Sequence, residues 1–257
     1  MRTTLRITGE ERALARSSLY RLLSLMFSYP DREVVSSLAP ATEVAKVGAQ
    51  VLGSSVEAAV SSLAAELALT SPQALESQYQ KLFTLTFSAE CPLYETAFSA
   101  SHLFQQTQHQ ADIAGFYRAF GVVGSGERPD HLATELEFAY LLALKEARAR
   151  QKGDQEHLAV TRAAARSFMR DHLARWGRLI AGRIAMVGPD TVYERAARLL
   201  AAFLDWDERF LRLGRIEPYR DEPVIIADEP EDLTCPLEGP FLEMMGALGS
   251  GGEHVPQ

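Results

Sequence analysis

The chain has 257 residues, 47% apolar and 23% charged, with 34 acidic against 26 basic side chains and a formal charge of -8. That apolar share fills the core of one large domain and excludes a wholly disordered chain, while the acidic balance speaks against a nucleic-acid binder, whose footprint is a basic face. Two cysteines, Cys91 and Cys235, are too few for a disulfide framework, the N-terminus lacks the apolar stretch of a secretory signal, and no run of about 18 apolar residues follows, so a cytoplasmic protein without stable membrane insertion is expected.

Helical periodicity dominates residues 1–214. Within 10–29 the apolar positions Leu14, Ala15, Leu19, Leu22, Leu23, Met26 and Phe27 recur at three and four, predicting an amphipathic helix that Pro30 ends. Residues 33–69 read as two or three shorter helices interrupted near Pro40 and Gly53. Ser71 as N-cap and Pro72 at the first helical position open the next, with Leu75, Tyr79, Leu82, Phe83 and Phe87 as its stripe. The pattern breaks over 91–100, predicting a loop, and resumes in a helix over 101–120 stopped by Gly121. After a second loop, Asp130 is the expected cap of a long helix reaching about residue 150. Gly153 separates it from a helix of about 30 residues ending at Gly188-Pro189, and a last helix covers 191–213. Nothing in the body alternates with the period of two that strands require. The expected fold is all-α, a single globular multi-helix bundle with an irregular acidic C-terminal tail.

The charge is unevenly placed. Residues 1–214 balance 24 acidic against 24 basic groups, whereas 215–257 hold ten acidic groups and only Arg215 and Arg220. This defines two regions, a neutral helical domain over 1–214 and an acidic tail over 215–257 punctuated by Pro218, Pro223, Pro230, Pro236, Pro240 and Pro256. Val224-Ile225-Ile226 and residues 241–248 are its apolar segments. Within the body, 145–183 carry an excess of six positive charges; a solvated face or pairing with the chain's own acids is preferred to a nucleic-acid surface.

Chemical motifs are few. A di-iron bundle needs Glu-x-x-His pairs on facing helices, and the chain has none. His102 and His109 share a helix face near Cys91, but surface histidines are the preferred reading, and neither a metal nor a cofactor is expected. The glycines of 121–126 have no preceding strand and no Lys-Ser or Lys-Thr, so they form an interhelical turn and not a phosphate loop. No nucleophile elbow is present. The chain is therefore expected not to be an enzyme; a weak nucleotide hydrolase and a helical regulatory adapter stand as alternatives.

One stretch is more specific: Glu127-Arg-Pro-Asp-His-Leu-Ala-Thr-Glu-Leu-Glu-Phe138. Asp130 and His131 place a carboxylate and an imidazole at a helix start, where a guanidinium can be held by a charge-assisted bond. The stretch resembles the hallmark of the TorD/DmsD/NarJ superfamily, the assembly chaperones of molybdenum oxidoreductases. Three further segments carry the likeness: Tyr79-Gln-Lys-Leu-Phe83, Cys91-Pro-Leu-Tyr-Glu-Thr-Ala-Phe98, and Phe168-Met-Arg-Asp-His-Leu-Ala-Arg-Trp176. The resemblance spans roughly residues 10–213, and the Cys-Pro-Leu-Tyr-Glu form looks most like chaperones of the dimethylsulfide, ethylbenzene, selenate and chlorate enzymes.

The resemblance implies a non-catalytic cytoplasmic chaperone that binds an apo molybdopterin-containing catalytic subunit and its twin-arginine leader, assists cofactor insertion and delays export. By the same likeness Asp130 and His131 are the leading partner contacts, with Glu127 auxiliary and Tyr79, Phe83, Tyr94, Glu95 and Phe98 lining an adjacent groove. The helical spacing of Tyr79 and Phe83 favours the core for that pair. A homodimer formed by exchange of helices between copies stays open, with Gly153 and the 121–129 segment as hinges.

Overall fold

The computed structural model describes residues 7–84, 90–99, 103–122, 127–220 and 222–223. All of them fall in one compact unit, Met1–Ile225. Phe87, His102, Gly124, Gly126, Cys235 and the tail segments 224–226 and 241–248 lie outside the described residues.

Among the described residues there are ten α-helices: α1 (Gly9–Phe27), α2 (Arg32–Leu52), α3 (Ser54–Leu69), α4 (Pro72–Tyr79), α5 (Thr96–Ser99), α6 (Leu103–Ala119), α7 (Leu132–Lys152), α8 (Gln155–Phe168), α9 (Ala174–Val187) and α10 (Val192–Leu211). Among the described residues there is no strand, only an isolated bridge between Tyr94 and His131. The all-helical bundle is as expected from the periodicity. None of these helices is long and apolar enough to cross a membrane.

Helix α1 is the axis of the bundle. A capping box starts it: the Thr8 hydroxyl accepts from Glu11 N at 3.1 Å, and Thr8 N donates back to the Glu11 carboxylate at 2.6 Å. Leu19, Leu22, Leu23 and Phe27 are wholly buried, and so are Ala13 and Tyr20 on other sides, because α2, α7 and α10 all pack around this helix. A helix buried on several faces also buries its polar residues, and Arg16 shows how that is tolerated. Its guanidinium, 2% exposed, pairs with Asp207 of α10 and lies 2.9 Å from Glu146 of α7, while the Tyr20 hydroxyl donates to Asp207 at 2.7 Å.

Two sequence expectations are corrected. Pro40 does not break the chain: α2 runs through it to Gly53. Proline removes one amide donor, but Pro40 and Ser36, whose carbonyl loses that donor, are both exposed, on the side of α2 where solvent can satisfy it. The segment 33–69 is thus two helices, with the break at Gly53, whose φ of 119° suits glycine. Second, Asp130 is not the cap of α7. That role belongs to His131, whose Nδ1 accepts from Ala133 N at 3.2 Å, because the Asp130 carboxylate is turned into the protein.

Other boundaries follow the signals that predicted them. Ser71 caps α4 with Pro72 in its first turn, and Gly121 and Gly153 take positive φ beyond α6 and α7. The long helix after Gly153 is α8 and α9 joined through a wide π turn, Met169–Leu173. A second π turn, Gln80–Thr84, extends α4. After α10, residues 213–220 continue along α8 and α9: Arg166 binds the Leu211 and Arg212 carbonyls, Arg175 Nε donates to Glu217 O at 3.1 Å, and Tyr219 N donates to Arg175 O at 3.0 Å. Much of the basic excess of 145–183 is thereby used within the body, capping the carboxyl end of α10 and pairing with Glu208 through Arg178.

Candidate functional site

The two most specific motifs, far apart in sequence, are joined by backbone. Leu132 N donates to Leu93 O at 2.8 Å, and Glu95 N donates to Asp130 O at 2.9 Å, so the loop 91–99 lies antiparallel to the start of α7. This pairing sets the positions of Tyr94, Glu95, Asp130 and His131 together.

Asp130 is fully buried and its carboxylate is saturated from within the chain. It accepts from Thr96 Oγ1 at 2.6 Å, Thr96 N at 3.3 Å, and Arg128 through Nε at 3.0 Å and Nη2 at 2.8 Å. The same guanidinium stacks over the Tyr94 ring, 4.3 Å from its centroid. His131 is buried as well, edge-on to Tyr94. Burial holds its imidazole below the usual histidine range, against the opposite pull of Glu127 and Asp130. Glu127 sits at the rim, its carboxylate accepting from Arg128 N at 3.0 Å and Tyr94 Oη at 3.4 Å.

Beside this corner opens a cleft of about 570 Å³ between the α1–α2 connection, α6 and α7. Glu127 and His131 line it, together with two carboxylates absent from the sequence reading, Asp31 and Glu137, and an apolar wall of Tyr29, Val34, Phe138, Tyr140 and Leu141. Glu137 is 60% exposed and only loosely paired with Arg21 at 3.3 Å. Its position was implicit in the Glu-Leu-Glu-Phe motif: residues two apart on a helix point about 200° from each other, so Glu135 and Glu137 cannot share a face. Glu135 goes inward, where Trp176 Nε1 donates to it at 3.0 Å and burial raises its carboxyl well above the ordinary range.

The remaining expected groove residues are dispersed. Tyr79 and Phe83 pack edge to face with each other and with Tyr193, and Tyr79 donates to Phe27 O at 3.4 Å. Tyr79 lies edge-on behind Tyr29 of the cleft wall, 5.5 Å away between centroids. Phe98 is 1% exposed against Trp176. Glu95 is fully buried and faces away from the cleft, toward His172 of the Met169–Leu173 π turn and His109 of α6. Cys91 is buried with its thiol pushed up to about 11 by desolvation, so it is an unreactive core residue.

Fold and site together define a class: a helical bundle that carries an acidic cleft with an apolar wall, and no catalytic constellation among the described residues. The model of the nitrate reductase delta subunit family matches residues 50–181, and the chain belongs to that family, the NarJ/TorD type of molybdoenzyme maturation chaperones. Its fold is similar to the crystal structure of a protein from Archaeoglobus fulgidus assigned as a redox enzyme maturation protein, with a TM-score of 0.51, 22% identity, and coverage of 79% of this chain and 99% of that one. No curated protein matches the chain by sequence.

Proposed function

We propose that this chaperone acts in the cytoplasm on the apo catalytic subunit of a molybdenum oxidoreductase, holding its twin-arginine leader until the cofactor is inserted and export is due. The observation that carries this reading is the cleft beside His131. A leader of this class offers two guanidinium groups followed by an apolar helix-forming segment. Its receptor needs carboxylates next to an apolar groove, and Asp31, Glu127 and Glu137 stand around Tyr29, Val34, Tyr140 and Leu141 in that relation.

Asp130 enters this reading differently from the rim carboxylates. With Arg128 already on it, it shapes the cleft wall, and the peptide arginines go to Glu127, Glu137 and Asp31. The test is calorimetry of the full chain with a synthetic leader carrying Arg-Arg ahead of an apolar segment, alongside a Gln-Gln version. The double variant Glu127→Gln, Glu137→Gln is expected to weaken the Arg-Arg peptide about 10-fold or more, since charge-assisted bonds are worth about 1.5–3 kcal/mol each. Affinity should also fall with salt. Equal affinity for both peptides, or an unchanged double variant, overturns the reading.

A further inference from the structure

The side chains of Glu95, His109 and His172 converge on the face of the 91–99 loop opposite the cleft, with one ligand atom from each lying within 4.8 Å of the others. The Glu95 carboxylate is 3.3 Å from His172 Nδ1 and 3.6 Å from His109 Nε2. Tyr219 places its hydroxyl 2.9 Å from Glu95 Oε1 and 3.1 Å from His109 Nε2. A tetrahedral zinc ion with bonds of about 2.0–2.1 Å separates its ligand atoms by about 3.3–3.4 Å. The Glu95 distances of 3.3 and 3.6 Å are therefore within a few tenths of an ångström of a tetrahedron's edges.

Both imidazoles also have the outer partners that metal-bound histidines use to fix their tautomer. Ser99 Oγ lies 2.9 Å from His109 Nδ1. Asp112 Oδ2 lies 3.5 Å from His172 Nε2, and that nitrogen, on a side chain 1% exposed, has no hydrogen-bond partner among the described residues. A buried ring nitrogen left just short of a carboxylate is in place for a bond that tightens when the opposite nitrogen is drawn onto a cation. His172 owes its position to a π turn, a helical irregularity frequent at functional sites. His109, 23% exposed, leaves an entry path from solvent.

We infer that Glu95, His109 and His172 form a metal site of the zinc type, with Tyr219 at its open side. Two imidazoles and one carboxylate favour zinc and its transition-metal neighbours over magnesium or calcium, which take oxygen ligands. The bound ion ties together the 91–99 loop, α6 and the π turn between α8 and α9, and it replaces the hydrogen bonds of Tyr219 to Glu95 and His109, leaving that hydroxyl the Asp171 carbonyl at 3.3 Å.

The test uses the full chain stripped with a chelator, then titrated with zinc chloride by calorimetry and with cobalt(II) by visible absorption. One zinc per chain, a rise in Tm on binding, and the absorption bands of four-coordinate cobalt are expected. His109→Gln and the isosteric Glu95→Gln should each weaken zinc roughly 100-fold and abolish the cobalt bands, and Ser99→Ala should weaken it about 10-fold through its effect on His109. His157→Gln, a change at a surface histidine on α8, should leave affinity unaltered. Circular dichroism confirms that each variant is folded. Absence of stoichiometric zinc binding, or wild-type affinity in folded His109→Gln and Glu95→Gln, overturns the inference and leaves the cluster as a hydrogen-bond network only.

Discussion

The guanidinium of Arg128 grips the carboxylate of Asp130 two residues along the chain, in a two-point contact of 3.0 and 2.8 Å, while Thr96 Oγ1 donates to the Oδ2 that Arg128 Nη2 also binds. The pair locks the 91–99 loop to the start of α7. Arg128 is partly exposed, at 38%, and Asp130 is fully buried, so the two ends of the bridge are unequal. Removing the arginine leaves Thr96 on Oδ2 but takes away Nε, the donor to Oδ1, at the partly exposed end of the bridge where solvent can replace it; removing the carboxylate takes the acceptor from both Thr96 donors and frees the loop.

Arg128→Gln is accordingly expected to cost about 1 kcal/mol, since solvent screens much of a half-exposed pair, and Asp130→Ala about 2–3 kcal/mol, since it empties a buried polar corner. Urea unfolding followed by circular dichroism measures both. An Asp130→Ala loss no larger than that of Arg128→Gln would show that Thr96 does not depend on the carboxylate. Because Asp130→Ala disturbs the loop, Glu127→Gln is the cleaner probe of peptide contact.

His131 links the site to pH. Its ring is surrounded by Glu127, Asp130, Arg128 and Tyr94, and burial outweighs the two carboxylates, so its folded pKa lies below the ordinary value of 6.5. Protonation also turns Nδ1 from an acceptor into a donor facing Ala133 N–H, which removes the cap of α7. The unfolded chain then binds the proton more readily than the folded one. The contribution of this residue to stability is complete above about pH 6.5 and declines as pH falls through that value toward the lower folded pKa. His131→Asn keeps a capping side chain and removes the titration. Urea midpoints between pH 5 and pH 7.5 should fall on the acid side in wild type, with a smaller slope in the variant; parallel profiles contradict the assignment.

The helices were legible in the sequence because each core-facing stripe repeats at three and four, and because Ser71, Gly121 and Gly153 are strong local punctuation. Pro40 misled because its cost depends on whether the freed carbonyl meets water, a tertiary fact. The site was half legible. Glu127 and His131 do line the cleft, but Asp31 and Tyr29 arrive from the α1–α2 connection, about 100 residues away, and carry no motif. Tyr79 and Phe83 followed their helical stripe into the core. His172 joins Glu95 and His109 only through long-range packing, and sequence spacing instead singled out His102 with His109.

The buried charge cluster of Arg16, Glu146 and Asp207 ties α1 to α7 and α10 at its three corners. Desolvation of the guanidinium opposes this arrangement, but the two carboxylates outweigh it and raise the Arg16 pKa. Truncating Asp207 leaves the buried guanidinium with Glu146 alone, a carboxylate it shares with Arg150, and takes the acceptor from its Nε and Nη2. Asp207→Ala is expected to cost about 3–5 kcal/mol, and Tyr20→Phe, which deletes one hydrogen bond to the same carboxylate, about 1 kcal/mol. Chemical unfolding of both single variants and the double variant reads the coupling. Additive losses would mean that the Tyr20 hydroxyl does not act through Asp207.

Two glycines in helix interiors should respond to the same substitution with opposite signs. At Gly48 of α2 an added methyl meets Ser18 Oγ at a forbidden distance and the Ala15 backbone at 3.2 Å, so α1 and α2 approach this closely only because position 48 has no side chain. Ser18 can turn aside, but the Ala15 main chain cannot, and α1 is fixed on its other sides by α7 and α10. Gly48→Ala is therefore expected to destabilise by about 1–3 kcal/mol. At Gly182 of α9, exposed and with nothing within 4 Å of an added methyl, alanine relieves the entropic cost of ordering glycine and should stabilise by about 0.5–1 kcal/mol. Urea midpoints of the two variants test both signs at once. A stabilising Gly48→Ala would mean that α2 moves off α1 at little cost, and that the close crossing is not a constraint on the bundle.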